Sequence, residues 1–305
     1  MASSPSVLPV VPPLPRLPPW IRVRPPSGAA YPEVRGLLSE LKLGTVCREA
    51  RCPNLPECWS AGAATLMLLG TDCTRRCGFC AVTTHWSNGR VDGTEPARVA
   101  EGVSRWGLRY VVLTQVCRDD LADGGAGLLA ETVRRIRAAA PATKVELLIG
   151  DLQGNAQSID RLLEEPPDVL AHNLETVRRL SPDIRDHRAD YEQSLWVLRS
   201  AKERSRRPLV TKSSIMLGVG ERDDELREAF SDLRAARVDL LTLGQYLRPS
   251  PRHHPVDRYV TPDEFEGLRT QALANGFAGV EAGPLVRSSY HAEELYELAR
   301  RSGGI

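Results

Sequence analysis

The sequence Cys73-Thr74-Arg75-Arg76-Cys77-Gly78-Phe79-Cys80 closely follows the apolar run Ala64–Leu69, which predicts a strand. Its cysteines have the spacing CxxxCxxC, so one short loop carries three thiols. Three thiolates on such a loop can hold three corners of a [4Fe–4S] cube and leave the fourth iron without a protein ligand. A structural zinc site is the alternative, but such sites usually pair one CxxC with a second, and this loop has no second pair. The spacing therefore favours an iron–sulfur cluster with an open iron.

An open iron can chelate a small molecule through an amine and a carboxylate, and the methionine part of S-adenosylmethionine offers both groups. A second triad, Cys47, Cys52 and Cys58, precedes the first with the spacing CxxxxCxxxxxC. Taken alone, this triad fits a zinc knuckle or a coincidence equally well, but beside the first triad it indicates a second metal centre. Cys117 stands apart, and we interpret it as a small buried apolar residue.

Composition excludes several classes of function. The chain has 305 residues, of which 42% are apolar, and a formal net charge of +1 from 40 basic and 39 acidic side chains. This balance offers no charged field for a nucleic-acid backbone. No run approaches the ~18 apolar residues of a membrane span and no secretory signal is visible, so we expect no membrane partner and a cytoplasmic location. An odd number of cysteines, seven, in a chain that can bury a core unaided argues against a disulfide framework.

Beyond residue 63, short β-rich segments alternate with amphipathic helical segments. The predicted strands are Ala64–Leu69, Arg109–Gln115, Lys144–Ile149, Asp168–His172, Leu209–Leu217, Asp239–Leu243 and Gly279–Glu281. The predicted helices are Glu95–Trp106, Gly127–Ala140, Ala156–Glu164, Asp190–Arg204, Asp223–Arg237 and Pro262–Asn275. Repeated strand–helix units predict an α/β fold with a parallel sheet, which we expect to be a partial TIM-like barrel of about six units, (βα)6.

Polar residues stand at five of the expected strand ends. They are Thr114-Gln115, Gly150-Asp151, His172-Asn173-Leu174-Glu175, Lys212-Ser213-Ser214 and Gln245-Tyr246. In such folds the chemistry collects where strands end and helices begin. One polar strand end carries no information, but five predict a lined cavity.

From about Trp20 to Glu294, the chain closely resembles the lipoyl synthases, a family of radical S-adenosylmethionine enzymes. The matching motifs are Thr45–Cys47, Cys52–Asn54, Glu57–Trp59, Cys73–Cys80, Arg118–Ala126, His172–Val177, Thr211–Ser213, Gln245–Ser250 and Gly283–Tyr290. The resemblance implies a partial barrel of the radical S-adenosylmethionine type with extensions at both ends. We divide the chain into a proline-rich arm at 1–28, expected to be disordered, an extension with auxiliary cluster ligands at 29–62, the barrel at 63–282 and a C-terminal extension at 283–305.

In the family, the CxxxCxxC cluster binds and reduces S-adenosylmethionine, and a serine oxygen completes an auxiliary [4Fe–4S] cluster. The resemblance therefore assigns Cys73, Cys77 and Cys80 to the first cluster, and Cys47, Cys52 and Cys58 to the auxiliary one. It assigns the serine oxygen to Ser289 in the segment Arg287-Ser288-Ser289-Tyr290, with Ser288 as the other candidate. Without the resemblance, these serines would be interpreted as a cap of the helix expected at Ala292–Arg301.

Other candidates for cofactor binding come from the loop and the strand ends. Phe79 resembles the aromatic residue that packs by the adenine of S-adenosylmethionine, or it is an ordinary core residue of its loop. The strand-end candidates are Thr114, Gln115, Asn173, Glu175 and Lys212, whose alternative role is to satisfy backbone groups at the barrel rim.

Two arginines and two histidines remain open. Arg248 and Arg287 contact a carrier or a cluster, or they are ion-paired structural residues. His253 and His254 invite a metal interpretation, which we disfavour because adjacent residues point to opposite faces of a strand and are unconstrained in a loop.

The resemblance implies sulfur insertion at carbons 6 and 8 of an octanoyl group amide-linked to a lysine, with the auxiliary cluster as sulfur donor. These carbons bear no activating group, so radical chemistry is needed and no acid–base residue is assigned. The implied partners are octanoylated lipoyl carrier domains, such as the glycine cleavage H protein and the E2 component of 2-oxoacid dehydrogenases. An electron donor such as ferredoxin or flavodoxin is also implied.

Three places depart from the family pattern. Gly150-Asp151 stands where a proline is expected before the aspartate, Gln115-Val116-Cys117 stands where smaller residues are usual, and Ala63-Ala64-Thr65 stands where Gly-Thr-Ala-Thr is common. None of them removes a cluster ligand. They leave room for a paralogue that inserts sulfur into a different alkyl chain, and a non-catalytic iron–sulfur or zinc protein is the alternative of another class.

Overall fold

The computed structural model describes residues 16–23, 25–27, 30–301, 303 and 305. Its strands are β1 (Gly44–Thr45), β2 (Thr65–Leu68), β3 (Asp72–Cys73), β4 (Thr83–Thr84), β5 (Tyr110–Gln115), β6 (Lys144–Leu148), β7 (Val169–Ala171), β8 (Val210–Leu217), β9 (Leu240–Gln245) and β10 (Gly279–Gly283). Its α-helices are α1 (Ala30–Glu40), α2 (Val46–Glu49), α3 (Leu55–Ser60), α4 (Glu95–Trp106), α5 (Ala126–Ala139), α6 (Ala156–Leu162), α7 (Ser181–Ile184), α8 (Tyr191–Arg204), α9 (Asp223–Ala235), α10 (Pro262–Ala274) and α11 (Ala292–Arg301). Most of the arm expected at 1–28 lies outside the described residues.

The main sheet has eight strands in the order β1-β2-β5-β6-β7-β8-β9-β10. Strand β1 is antiparallel to β2, with Thr45 opposite Leu66, and every other pair in this sheet is parallel. Within the described part of the chain, no ladder joins β10 back to β1 or β2, so the barrel is open. The expected α/β partial barrel is thereby confirmed. It contains a seventh parallel strand, β10, after six strand–helix units.

The predicted strands and helices are all present, with ends that differ by at most two residues. The agreement has a simple cause, because strands covered on both faces are read as short apolar runs and the helices between them as amphipathic segments. Helix α10 shows how its start is encoded: the Thr261 side chain accepts a hydrogen bond from the backbone N–H of Glu264, and Pro262 opens the first turn. The division into segments at residues 29, 63 and 283 stays a prediction.

The segment before β2 meets the segment after β10 across the open side of the barrel. Asn54 Nδ2 donates to the carbonyl of Leu285 at 2.6 Å, and Tyr290 Oη lies 3.3 Å from Glu57 Oε1. Trp59 of α3 is only 3% exposed and stacks obliquely on Tyr31 of α1, with 5.5 Å between ring centroids. Among the described helices, none is long and apolar enough to cross a membrane.

Candidate functional site

Arg75 anchors the loop that carries the first cysteine triad. Its guanidinium donates to both carboxylate oxygens of Asp119 and to both of Asp151, with the shortest contacts at 2.7 and 2.6 Å. All three side chains are nearly buried, at 4%, 9% and 1% exposed. Asp119 follows β5 and Asp151 follows β6, so one arginine ties the loop to two strand ends. Because the Arg75 guanidinium is buried and fully hydrogen-bonded to two carboxylates, it fixes the position of the loop relative to the strand ends.

Two distant segments hold the other side of the loop. Asp186 Oδ2 accepts the backbone N–H of Arg76 at 2.8 Å, and the N–H of Asp186 points at Cys77 Sγ at 3.3 Å. The N–H of His254 donates to the carbonyl of Gly78 at 2.8 Å, and His253 Nε2 lies 3.0 Å from the carbonyl oxygen of Cys80. The two histidines therefore brace the backbone of the loop. Sequence reasoning missed Arg75, Asp119, Asp186 and this role of the histidines.

The thiols of the first triad differ in acidity. Burial raises the pKa of Cys77 to about 11 and that of Cys80 to about 12. A hydrogen bond from the Cys117 thiol is the largest cause that lowers the pKa of Cys73 to about 7. Cys117 therefore contacts Cys73, one of the expected cluster ligands. The interpretation of Cys117 as a small apolar residue did not include this contact. Thiols must be deprotonated to bind iron, so burial here matches a site that metal binding would complete.

The second triad lies in the extension beside β2. Cys47, in α2, is buried and next to Thr65, while Cys52 and Cys58 are half-buried. Burial and the two neighbouring thiols raise the pKa of Cys58 to about 12. Asn54 and Glu57, which lie between Cys52 and Cys58, are hydrogen-bonded to Leu285 and Tyr290. These contacts hold the segment 285–290, which contains Ser289, against the extension. The assignment of Ser289, rather than Ser288, as a ligand stays a prediction.

Unpartnered buried atoms test whether iron–sulfur clusters and S-adenosylmethionine fit these residues. Thr45 Oγ1 and Asn54 Oδ1 lack hydrogen-bond partners beside the second triad, and Gln115 Oε1 and Asn173 Oδ1 lack them at the strand ends. Buried polar atoms are normally satisfied, so such atoms favour a missing partner group. In the described part of the chain, no three Cys, His, Asp or Glu side chains converge on a single metal ion. A [4Fe–4S] cube does not require such convergence, because it binds each thiolate through a different iron.

Four of the strand-end candidates lie where strands end. Thr114 and Gln115 close β5, and Asn173 and Glu175 follow β7. Glu175 has a positive φ of 71°, an unusual conformation for this residue type, and its carboxylate raises the pKa of both Cys77 and Cys80. Burial raises the pKa of Glu175 itself. Phe79 is half-buried and packs against the apolar core around β8 and β9. The roles of these residues in cofactor binding stay predictions.

The expectation for Lys212 is wrong in its placement. Lys212 is the third residue of β8, in register with Ala171 and Leu240, and does not stand at the strand end. Its Nζ donates to Glu146 Oε1 at 2.8 Å, and both side chains are 1% exposed. Tyr110 Oη donates to the same carboxylate at 2.7 Å. Because the Lys212 ammonium is already paired with Glu146 inside the barrel, its charge is not available to a cofactor. The expectation failed because strand register, rather than local sequence, decides where the side chain points.

Arg185 is a further residue that the sequence did not reveal. It is 8% exposed, and its Nη1 donates to Ser194 Oγ at 2.9 Å. No carboxylate in the described residues lies within ion-pairing distance, although its charge partly opposes the rise that burial causes in the pKa of Cys77 and of Glu175. An unpaired buried cation beside the loop can receive an anionic group of a ligand. The segment 181–188 contains two arginines beside acidic residues, and nothing in its sequence distinguishes Arg185 from Arg188.

Family models match most of the chain. The model described as the radical SAM superfamily, where SAM is S-adenosylmethionine, matches residues 67–233. The model described as the N-terminal domain of lipoyl synthase of the radical SAM family matches residues 13–52. The first match includes Cys73, Cys77 and Cys80, and the second includes Cys47 and Cys52.

Relatives of known name are similar over nearly the whole chain. The lipoyl synthase of Halorhodospira halophila is 54% identical over 282 residues, covering 92% of this chain and 84% of that one. The lipoyl synthase of Pyrobaculum arsenaticum is 54% identical over 285 residues, covering 93% and 96%. Solved structures share the fold at low identity. Methylornithine synthase has a TM-score of 0.56 at 15% identity, covering 80% of this chain and 73% of that one, and the hydrogenase maturase HydG from Carboxydothermus hydrogenoformans has 0.57 at 13%, covering 88% and 69%.

Proposed function

The chain belongs to the lipoyl synthase family of the radical S-adenosylmethionine superfamily, and from this we propose that it inserts two sulfur atoms into a protein-bound octanoyl group. The sulfur atoms go to carbons 6 and 8, and the product is the lipoyl group. The observation that carries the proposal is the presence of two separate thiol triads, each braced by buried polar contacts and each beside unpartnered polar atoms. A single cluster would leave the second triad without a purpose.

The first triad is suited to S-adenosylmethionine cleavage. We propose that Cys73, Cys77 and Cys80 hold a [4Fe–4S] cluster whose fourth iron binds the methionine part of the cofactor. When bound, this pair supplies a 5′-deoxyadenosyl radical, formed by one-electron cleavage, that can take a hydrogen atom from an unactivated carbon. Arg185 would receive the cofactor's carboxylate, because it is the buried cation beside the loop with no carboxylate of its own.

The strand ends would hold the rest of the cofactor. Gln115 Oε1 and Asn173 Oδ1 are acceptors without partners, and they suit the ammonium group and the hydroxyl groups of S-adenosylmethionine. Thr114 and Glu175 lie beside them and would complete the pocket, with Phe79 packing by the adenine. The braced loop keeps these groups in fixed positions, which is what positions a radical against one carbon and excludes water.

We propose that the second triad, with the Ser289 oxygen, holds an auxiliary [4Fe–4S] cluster. When bound, that cluster supplies sulfur to the substrate. Contacts of Asn54 with Leu285 and of Glu57 with Tyr290 support this proposal, because they hold the segment 285–290, which contains Ser289, against the extension that carries the cysteines. A serine oxygen is a harder ligand than a thiolate and matches cluster iron less well, so Ser289 would be the weakest of the four protein ligands.

The implied partners follow from this substrate. The octanoyl group is carried on a lysine of a lipoyl carrier domain, such as the glycine cleavage H protein or the E2 component of a 2-oxoacid dehydrogenase. A low-potential protein such as ferredoxin or flavodoxin would donate the electrons. The sequence departures at Gln115, Cys117 and Gly150 remain compatible with a preference among carriers.

A mass measurement on an octanoylated carrier peptide tests the proposal. The anaerobically reconstituted protein is incubated with the peptide, S-adenosylmethionine and a strong reductant. We expect the peptide to gain two sulfur atoms as the dithiol, or two sulfur atoms with loss of two hydrogens as the ring-closed disulfide. Cleavage of the cofactor with an unchanged peptide would contradict the proposed substrate, and absence of cleavage would contradict the proposed reaction.

A further inference from the structure

Arg287 carries a positive charge that the described residues leave without a carboxylate partner. It is half-buried, and the one hydrogen bond they give it runs from Nη1 to the carbonyl of the preceding residue, Val286, at 2.6 Å. A guanidinium has five N–H donors, so most of its capacity is unused. By contrast, the buried Arg75 and Arg118 each grip carboxylates through paired hydrogen bonds. The idea of an ion-paired structural arginine therefore does not apply to Arg287.

The surroundings of Arg287 fix where that charge points. Its Nη1 lies 3.5 Å from the position that a Cβ would take on Gly244 in β9. Burial lowers the pKa of the Arg287 guanidinium, and the nearby Cys52 thiol acts in the opposite direction. Asn54 and Glu57 hold the segment on either side of Arg287, through Leu285 and Tyr290. The guanidinium is thus kept between the end of β9 and the second cysteine triad.

A cation taken partly out of water without an anion is unfavourable, so its retention indicates that an anion joins it in the functional protein. The second triad offers a specific one. An iron–sulfur core bound by three thiolates and a serine oxygen carries net negative charge, and its sulfur atoms accept hydrogen bonds. A guanidinium beside such a cluster supplies charge-assisted hydrogen bonds of the kind that hold ligands in place. Arg185, the other unpaired arginine of the site, lies by Cys77 and cannot serve the second triad.

We propose that Arg287 is a positioning residue that supplies the counter-charge for the cluster held by Cys47, Cys52 and Cys58. The inference rests on the proposed function, because it requires that auxiliary cluster. It adds a role for the first residue of the Arg-Ser-Ser-Tyr segment that is separate from the serine ligand.

Iron content tests the proposal in the full-length protein after anaerobic reconstitution. The wild type should bind about eight irons, two cubes' worth. Arg287→Met keeps most of the length of the side chain without its charge and should lower iron to about half. After reduction with dithionite, the remaining cluster should still give an electron paramagnetic resonance signal that S-adenosylmethionine perturbs. Arg287→Lys keeps the charge and should retain more iron than Arg287→Met. The matched control is Arg137→Met, because Arg137 of α5 is also partly buried but pairs with Glu165, in the loop after α6.

Melting temperature separates this role from simple packing. In the cluster-free protein, Arg287→Met should leave the melting temperature unchanged or raise it, because an uncompensated charge is removed. In the reconstituted protein, the same change should lower it. Arg137→Met should lower both to the same extent.

Arg287→Met protein with wild-type iron content, or with an equal loss of melting temperature in both forms, would overturn the inference. A wild type that itself binds only about four irons would instead overturn the proposed second cluster, and the inference with it.

Discussion

At the scale of the residue, buried ion pairs fix the loop of the first triad and the interior of the barrel. Arg75 joins Asp119 and Asp151, and Lys212 joins Glu146 and Tyr110. His172 differs from these charged groups, because it is buried yet neutral. Its Nδ1 donates to the carbonyl of Ile149 at 2.9 Å, and its Nε2 has no partner among the described residues.

His172 predicts a specific pH dependence of stability. Burial is the main cause that lowers the pKa of His172 from 6.5 to about 4. Between these values the unfolded chain binds a proton that the folded chain does not, so the free energy of unfolding falls as pH falls through this window. The loss is about 2 kcal/mol between pH 7 and pH 5. Urea unfolding of the cluster-free protein at both pH values measures it.

His172→Gln should remove most of that difference, whereas His85→Gln should keep it, because the His85 side chain is exposed. Equal pH dependence of unfolding in the wild type and in His172→Gln would show that the imidazole titrates as freely in the folded protein as in the unfolded chain.

At the scale of the element, Gly244 allows the segment after β10 to settle on the end of β9. A Cβ at this position would lie 2.1 Å from the carbonyl oxygen of Val286, which is far inside any non-bonded contact that a Cβ can make. Backbone therefore approaches backbone here, and only glycine permits it. The segment that carries Arg287 and Ser289 depends on this contact for its position.

We expect Gly244→Ala to displace the segment 284–290 and to lower iron content towards about four, while cofactor cleavage persists. The matched control is Gly267→Ala in α10, where an added Cβ would meet no atom within 4 Å. That change should stabilise the protein by roughly 0.5–1 kcal/mol, because alanine favours the helix. Iron analysis and quantification of 5′-deoxyadenosine in both variants check the prediction. Full iron in Gly244→Ala would mean that the segment does not need this contact.

The helices and strands were the most predictable part of this structure, and the side-chain contacts between distant segments were the least predictable. The strands and helices follow from local apolar patterns, and the two cysteine triads follow from spacing, so both could be found in the sequence. Asp186, His253 and His254 brace the first triad from more than 100 residues away, and no local pattern encodes such contacts. Lys212 shows the same limit, because its distance from the strand end depends on how β8 pairs with its neighbours.

At the scale of the whole molecule, the open barrel explains how distant parts of the chain can serve one reaction. The sheet does not close between β10 and β1, and the two terminal segments meet across that opening. The loop after β2 is meanwhile tied to the ends of β5 and β6 through Arg75. The two cysteine triads thus lie on separate scaffolds, one on the loop after β2 and one on the extension. Under the proposed function, separate scaffolds would allow one centre to be consumed while the other is kept.

The most direct test of this division of labour quantifies 5′-deoxyadenosine and sulfur-bearing peptide in the same reaction with two variants. For Cys77→Ala, in the first triad, we predict neither product. For Cys52→Ala, in the second triad, we predict 5′-deoxyadenosine without any sulfur on the peptide. Sulfur insertion by Cys52→Ala, or loss of cofactor cleavage in that variant while the first cluster is intact, would contradict the account.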